Sequence, residues 1–385
     1  MRSVDFYQIE ELLGHEERMV RDSAAAFVDR EVLPIIRDCF EKGTFPRQLV
    51  KKMGENGFLG ATVDGYGGTR VSPVAYGLMM QEFERGDSGL RSFASVQSGL
   101  VIGLIDRYGS AEQKERWLPG LIGGDLIGCF ALTEPDFGSD PSGMKTRAVQ
   151  EGGHFILNGA KAWITSACMA DCFVVWAYLD DKVRGFIVEK DTPGMKVMPI
   201  LHKFSMRASD TGEIHFNDCR IPLDNILERT EGLVSALSCL NHARYGIAWG
   251  VLGAAQACYE EALEYARVRV MFGKPIGAFQ LVQEKLTDMV TGITCGQLLC
   301  LQLGRLMEKG GADHAQISLA KRNNVRVALE VARKSRDILG ASGISTEYNS
   351  IRHMLNLESV ITYEGTDSIH TLIIGKKVTG LDAIH

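Results

Sequence analysis

Two carboxylates and three arginines stand in contexts that could do chemistry. They are Glu364 in Thr362-Tyr-Glu-Gly-Thr366, Glu84 and Arg91 in Glu84-Arg-Gly-Asp-Ser-Gly-Leu-Arg-Ser92, Arg244 in Asn241-His-Ala-Arg-Tyr-Gly246, and Arg269 in Arg269-Val-Met-Phe-Gly273. Taking a proton from carbon requires a carboxylate desolvated enough to act as a base and not neutralised by a nearby cation. Gly365 beside Glu364 permits close backbone approach, and Thr366 offers a hydroxyl; by residue type alone, however, a Glu-Gly pair reads as solvated surface. Glu84 and Arg91 read on spacing alone as a surface ion pair at a helix end, because Gly86 and Gly89 break the helix between them. Arg269 can counter the charge of a pyrophosphate or lie on a solvated helix face. His242 reads as a structural hydrogen-bonding residue.

The elements that must position these groups belong to a chain of 385 residues, long enough for two or three domains with substantial cores. With 45% hydrophobic and 23% charged residues and a formal net charge of -6, it has the composition of a soluble globular protein without a basic surface for nucleic acid or anionic membrane. Nine cysteines are scattered singly, and the closest pair, Cys168 and Cys172, lacks the partner pair that zinc would need. No metal and no disulfide framework are expected, and the cysteines point to a reducing compartment. The acidic start, Met1 to Glu11, carries neither an apolar nor an Arg-rich leader, and no window is apolar enough to cross a bilayer. A cytoplasmic location follows, or a mitochondrial matrix one with the leader outside this numbering.

Apolar residues recur at helical spacing from Glu16 to about Gly124, and Ser110-Ala-Glu-Gln113 has the form of a capping box. Between Ile127 and Arg229 the period becomes two, and His154–Leu157, Phe173–Trp176, Gly185–Val188 and Glu213–Phe216 read as strands. Asp180-Asp-Lys182 closes a hairpin, and Asn158-Gly159 supplies a turn dipeptide. Helical runs return from Leu233 as Ile247 to Arg269, Gln280 to Glu308 and Ala315 to Leu339, stopped by Gly340 and Gly343. The second run carries Leu281, Leu286, Met289 and Ile293, and then Leu298, Leu299, Leu301 and Leu303, so it is buried in a large core or an oligomer interface. The expected domains are 1–126 all-α, 127–232 β and 233–385 all-α. No G-x-G-x-x-G stands at a strand-to-helix turn, and Gly65-Tyr-Gly-Gly68 reads as a turn.

Phe130-Ala-Leu-Thr-Glu-Pro-Asp-Phe-Gly-Ser139, Trp163-Ile-Thr165, Arg269-Val-Met-Phe-Gly273 and Thr362-Tyr-Glu-Gly-Thr366, in this order and separation, resemble the flavin and base signatures of acyl-CoA dehydrogenases. The resemblance implies an α+β fold: an N-terminal helical domain, a middle β-barrel-like domain and a C-terminal four-helix bundle. It implies FAD, with Glu364 taking the α proton of an acyl-CoA thioester and its backbone N–H polarising the thioester carbonyl. FAD would rest on Phe130, Leu132, Thr133, Gly138 and Ser139, on Trp163, Ile164 and Thr165, and near Thr366. Its other end would be held by a neighbouring subunit through Arg269, Phe272 and Gln280, and through Leu339, Gly340 and Gly343. Leu240, Asn241, Arg244, Ser139 and Gly365 match positions on the substrate side. A homotetramer passing electrons to an electron-transfer flavoprotein is the implied assembly.

Glu84 to Ser92, with Cys239 to Gly253, Lys321-Arg-Asn-Asn324 and Ile351 to Gly365, resembles the glutaryl-CoA dehydrogenase branch; the likeness runs from about Asp5 to Leu381. There Arg91 and Ser92 would hold the free carboxylate of a dicarboxylic acyl-CoA and Glu84 would support proton transfer at the γ carbon. A monocarboxylic chain would leave that guanidinium unpaired. Tyr363, where non-decarboxylating relatives carry Val, implies release of CO2 from glutaconyl-CoA to give crotonyl-CoA. Three departures stand out: Leu90 replaces a common Tyr, Leu339-Gly-Ala-Ser-Gly343 replaces Leu-Gly-Gly-Asn-Gly, and Gly365-Thr-Asp-Ser-Ile369 replaces Gly-Thr-His-Asp-Ile. Alternatives are a non-decarboxylating glutaryl-CoA dehydrogenase, a dehydrogenase for another short acyl-CoA with Arg91 redirected by Leu90, and an oxygen-using acyl-CoA oxidase. A catalytically silent DNA-associated relative fits poorly, because 42 Lys plus Arg face 48 Asp plus Glu and Glu364 is retained.

Overall fold

The computed structural model describes Asp5 and residues 7–383. The reading of Met1 to Val4 and Phe6 as free of a leader, and the outermost ends of the two terminal domains, lie outside the described residues. Helices open the chain: His15–Phe27 (α1), Leu33–Lys42 (α2), Gln48–Glu55 (α3), Pro73–Gly86 (α4), Ser88–Ser95 (α5), Gly103–Tyr108 (α6) and Ala111–Ile122 (α7). Ser110 and Gln113 form the expected capping box of α7. Gly65 to Gly68 is the turn of a two-residue hairpin, with Tyr66 at φ 54 and Gly67 at φ 92. α4 starts where Ser72 accepts from the Ala75 N–H and Pro73 supplies a helical φ. It stops at the extended Asp87, whose carboxylate accepts from Gly89 N–H and caps α5. Gly89 permits close approach there, since a Cβ would lie 2.6 Å from the Ala208 carbonyl oxygen.

The middle strands are Gly128–Ala131 (β1), Arg147–Glu151 (β2), His154–Thr165 (β3), Cys172–Leu179 (β4), Lys182–Glu189 (β5), Met195–Pro199 (β6) and Thr211–Pro222 (β7). They form one sheet in the order β1-β4-β2-β3-β7-β6, with β5 on the other edge of β4. The sheet curls, and among the described residues no pairing joins β5 to β6 and closes it. Leu179 pairs with Lys182 across the expected Asp180-Asp181 turn. Asn158-Gly159 is not a turn but lies inside β3, at a register shift against β7. Gly159, at φ 144, lets the Thr146 backbone approach to within 2.6 Å of where a Cβ would stand, so the glycine serves a bulge. The β2–β3 turn falls instead at Gly152-Gly153, where Glu151 pairs with His154.

The C-terminal part holds Leu233–Val268 (α8), Gln280–Glu308 (α9), His314–Ile338 (α10), Asn349–Val360 (α11) and Asp367–Thr379 (α12). α8 begins at Leu233, where the helical period returns, and runs without a break into the expected Ile247 run, because Ser235, Ala236, Cys239 and Ala243 already pack inward. α9 is buried at Met289, Ile293, Leu301 and Leu303, whereas Leu281 is 72% exposed, so the chain alone does not cover its first turns. Separate apolar cores fill the N-terminal helices with α8, the sheet, and the C-terminal helices. Six of the nine cysteines are buried; Cys168 and Cys295 are exposed and Cys39 is half-buried. No helix among the described residues is long and apolar enough to cross a membrane.

One buried node ties the three parts together. Arg352 on α11 donates to the Gly86 carbonyl at 2.8 Å and to Asp87 Oδ2 at 2.5 Å. Asn356 Nδ2 donates to the same carboxylate oxygen at 3.0 Å, and Asn356 Oδ1 accepts from Met206 N–H at 2.8 Å. Because Asp87 caps α5, this node fixes where Arg91 and Ser92 stand. Arg352→Met would strand a buried carboxylate and destabilise the fold by about 3–5 kcal/mol. A chemical-denaturation midpoint checks this: Asp87→Asn/Arg352→Met should recover part of the loss, and equal midpoints for Arg352→Met and the unaltered protein would refute the assignment.

Candidate active site

Between α11 and α12 the chain makes a tight turn. Tyr363 N–H returns to the Ser359 carbonyl, and Thr366 Oγ1 caps α12 by accepting from Ile369 N–H at 3.2 Å. Glu364 at φ 52 and Gly365 at φ 96 are both left-handed, a costly arrangement for a glutamate. A side chain at 365 would add to the strain, since its Cβ would lie 2.9 Å from His370 Nε2. Three successive carbonyls are held by cations: Lys321 Nζ donates to Tyr363 O at 2.9 Å and to Gly365 O at 2.8 Å, and Arg244 Nε donates to Glu364 O at 2.9 Å. The Glu364 N–H finds no acceptor among the described residues.

Glu364 as a residue is partly exposed, but its Oε2 is buried without a partner. Burial pushes its carboxyl above the ordinary value, and Arg91, Lys321 and Arg244 only partly offset this. None of them forms an ion pair with it among the described residues. This is the environment a carboxylate base needs: little solvent and no neutralising contact.

Glu84 and Arg91 are not a surface pair. Both are fully buried, and Arg91 Nε donates to Glu84 Oε2 at 2.6 Å. Arg91 Nη2 donates to the Tyr363 hydroxyl, which brings the residue before Glu364 against the pair. Burial opposes the Arg91 charge, but Glu84 and Tyr363 outweigh it and hold the guanidinium firmly protonated. Arg91 Nη1 and Glu84 Oε1 are buried without partners. Ser92 is buried on the following residue, and Leu90 on the preceding one is fully buried in the N-terminal core. Gly250 on α8 makes room: a Cβ there would lie 2.3 Å from Glu84 Oε2 and 3.1 Å from Arg91 Nε. Gly250→Ala is therefore expected to displace the pair at a cost of about 1–3 kcal/mol, read as a lower thermal midpoint; an unchanged midpoint would contradict the geometry.

On α8, Asn241 Oδ1 accepts from Arg244 Nη1 at 3.3 Å, and Leu240 packs half-buried against the N-terminal core. His242 packs at a tilt against Tyr76 with ring centres 4.7 Å apart; burial pushes its pKa down to about 4, so its imidazole is neutral.

The sheet brings the other predicted stretches to one edge region. Phe130 and Leu132 are buried at the end of β1, Thr133 is half-buried, and Gly138 and Ser139 are exposed. Ala162 N–H donates to the Thr133 carbonyl at 2.9 Å, joining this stretch to Trp163, Ile164 and Thr165 at the end of β3. Trp163 is 63% exposed and left-handed at φ 60, an outlier for a bulky residue. Sequence reasoning missed the brace beneath. Lys161, wholly buried, donates to Glu134 Oε1 at 2.9 Å and to the Leu132 carbonyl at 3.0 Å. Burial pulls its pKa down to about 8 against the pull of Glu134. Its inward position in the β3 alternation was the available signal.

Arg269, Phe272 and Gln280 stand elsewhere, the first two on the protruding connection between α8 and α9 and Gln280 at the start of α9. All three are exposed, Phe272 by 92%, and no hydrogen bond or ion pair among the described residues joins them to the sheet. Leu339 is buried at the end of α10, Gly340 turns the chain at φ 62, and Gly343 lies where a Cβ would be 2.1 Å from the Arg336 carbonyl oxygen. No group of three or more His, Cys, Asp or Glu among the described residues is placed to hold a metal.

The residues fit a flavin on the sheet. An exposed, strained indole and the buried, unpartnered Ser166 Oγ next to Thr165 are features that a bound planar ligand with polar edges would account for.

Models of the acyl-CoA dehydrogenase N-terminal, middle and C-terminal domains match residues 14–125, 129–219 and 230–379. A crystal structure of glutaryl-CoA dehydrogenase from Mycobacterium smegmatis superposes with a TM-score of 0.97 at 49% identity, covering 98% of each chain. A glutaryl-CoA dehydrogenase from the same organism, in complex with FADH2, gives 0.97 at 48% identity over 98% of each chain. The human mitochondrial short-chain specific acyl-CoA dehydrogenase is 36% identical over 369 residues, 94% of this chain and 90% of the relative. By these matches, and by a site fitted to a flavin and a desolvated base, the chain belongs to the acyl-CoA dehydrogenase family and uses FAD.

Proposed function

We propose that this chain oxidises glutaryl-CoA to glutaconyl-CoA and releases CO2 to give crotonyl-CoA, passing electrons to an electron-transfer flavoprotein. The observation that carries the reading is the fully buried Arg91, whose Nη1 has no partner beside the Glu84 pair and Tyr363. A terminal carboxylate would supply the missing acceptor, whereas a purely hydrocarbon chain would leave it unmet. Glu364 takes the α proton, and its N–H, without an acceptor among the described residues, is available to the developing charge on the thioester oxygen. FAD supplies the acceptor for the β hydrogen, which leaves as hydride.

In the second stage the C–C bond to the carboxylate breaks, its electron pair enters a dienolate delocalised onto the thioester, and a proton returns to the γ carbon. Arg91 and Ser92 hold the carboxylate, Tyr363 orients Arg91, and Glu84 supports the returning proton. Ser139, Leu240, Asn241, Arg244 and Gly365 line the path of the thioester. Phe130, Leu132, Thr133, Gly138, Trp163, Ile164, Thr165 and Thr366 hold the near end of FAD. Arg269, Phe272, Gln280, Leu339, Gly340 and Gly343, remote in the single chain, serve the FAD of a neighbouring subunit in a homotetramer, and the exposed Leu281 and Phe272 support that assembly. Three domains divided near residues 126 and 232 and a cytoplasmic or matrix location complete the reading.

Anaerobic turnover with an artificial acceptor, followed by mass analysis, tests it. Crotonyl-CoA from glutaryl-CoA is expected. Stable glutaconyl-CoA would overturn decarboxylation, and equal turnover of butyryl-CoA would favour the short-chain reading that the human relative suggests.

A further inference from the structure

Lys321 is the chain's most unusual unassigned cation. It lies on α10, 1% exposed, and no carboxylate stands within ion-pair distance among the described residues. A buried ammonium without a counter-ion is costly, and a methionine of similar length would fill the same space without that cost. What a methionine cannot do is donate to two carbonyls. Lys321 Nζ spends its hydrogen bonds on Tyr363 O and Gly365 O, the carbonyls on either side of Glu364.

Resting on the reading of Glu364 as the base, we propose that Lys321 is a positioning residue for it: the ammonium staples the two flanking carbonyls and so holds the left-handed turn that presents both the carboxylate and the N–H of Glu364. Arg244 holds the central carbonyl from α8, but a single bond at Glu364 O leaves rotation about the two flanking peptides free. The two Lys321 bonds remove that freedom, which matters because misplacement of a reacting group by about 1 Å can cost about a hundredfold in rate.

The same ammonium acts through its field. The charged and titratable groups around it are Glu364 on the turn, Arg244 on α8, Arg91 on α5, and Asp367 and His370 on α12. Burial pulls Lys321 down to about 7 and His370 to about 3, so His370 stays neutral while Lys321 changes charge close to neutrality. Among the cations that lower the Glu364 carboxyl, Lys321 stands after Arg91 and before Arg244.

The test compares the FAD-loaded full chain with Lys321→Met, Lys321→Gln and Glu364→Gln, measuring flavin content, kcat, KM and the pH profile of kcat/KM. Lys321→Met should lower kcat about ten- to a hundredfold at similar KM and full flavin content, and move the acid limb to higher pH because a cation favouring ionised Glu364 is gone. Lys321→Gln, which keeps donors but not charge, should move the acid limb likewise with a smaller loss of kcat; it carries the test if the Met variant does not fold. An acid limb and kcat like those of the unaltered protein, or a kcat loss that merely follows lost flavin with the limb unmoved, would overturn the proposal. Turnover by Glu364→Gln would sink the base assignment itself. An inactive Glu364→Gln beside a fully competent Lys321→Met would sink only the role of Lys321.

Discussion

Glu364→Gln is expected to lower kcat by about a hundred- to ten-thousandfold, the range for a lost general base, while acyl-CoA binding persists. The amide keeps the shape of the side chain and cannot take a proton, so single-turnover flavin bleaching under anaerobic conditions measures the deficit directly. The unaltered enzyme should show an acid limb above the ordinary carboxylate range, because burial raises the Glu364 carboxyl and only its ionised form is active. Activity therefore rises with pH through the raised value, and the residual activity of the Gln variant lacks that limb. Bleaching by Glu364→Gln at the full rate would remove the residue from the chemistry.

Arg91→Gln is expected to cost glutaryl-CoA turnover about 2–5 kcal/mol, or about 30- to 4,000-fold in kcat/KM, because the substrate carboxylate loses its guanidinium. Butyryl-CoA, with no carboxylate to lose, should suffer far less, so the ratio of the two specificities is the informative readout. Some of the damage falls on the protein itself, since Glu84 is left buried without its partner at 0% exposure. Glu84→Gln/Arg91→Gln should restore thermal stability without restoring glutaryl-CoA selectivity. A parallel fall for both substrates would mean that Arg91 holds the architecture and does not read the chain end.

Periodicity exposed much of the fold. The changes of period near residues 127 and 229 mark the sheet, and the capping box at Ser110 and the turn at Asp180 fell where the local chemistry put them. Asn158-Gly159 misled because a tight turn and a strand bulge ask the same backbone freedom of glycine, and only the Thr146 backbone across the sheet decides between them. Glu84 and Arg91 looked like solvated charges because a local pattern carries no record of α8 packing against them. The role of Lys321 lay hidden for a similar reason: its acceptors are 42 and 44 residues downstream, and the resemblance that singled out Lys321-Arg-Asn-Asn324 says nothing of what the side chain holds. Glu364 and the sheet-edge stretches were legible through resemblance, whereas the clamps beneath them, Lys161 to Glu134 and Lys321 to the turn, are purely tertiary.

The missing side chain at Gly250 couples two sequence features. A methyl group at that position and a Glu84–Arg91 pair in this geometry cannot share the space, since the Cβ would stand 2.3 Å from Glu84 Oε2. A single position on α8 thus serves as a marker for homologues and for engineered libraries alike. If Arg91 reads a substrate carboxylate as proposed, chains of this fold with anything larger than glycine there are expected to have shifted the Glu84 carboxylate, moved the helices apart or given up the pair, so that one residue flags them before any substrate is tried.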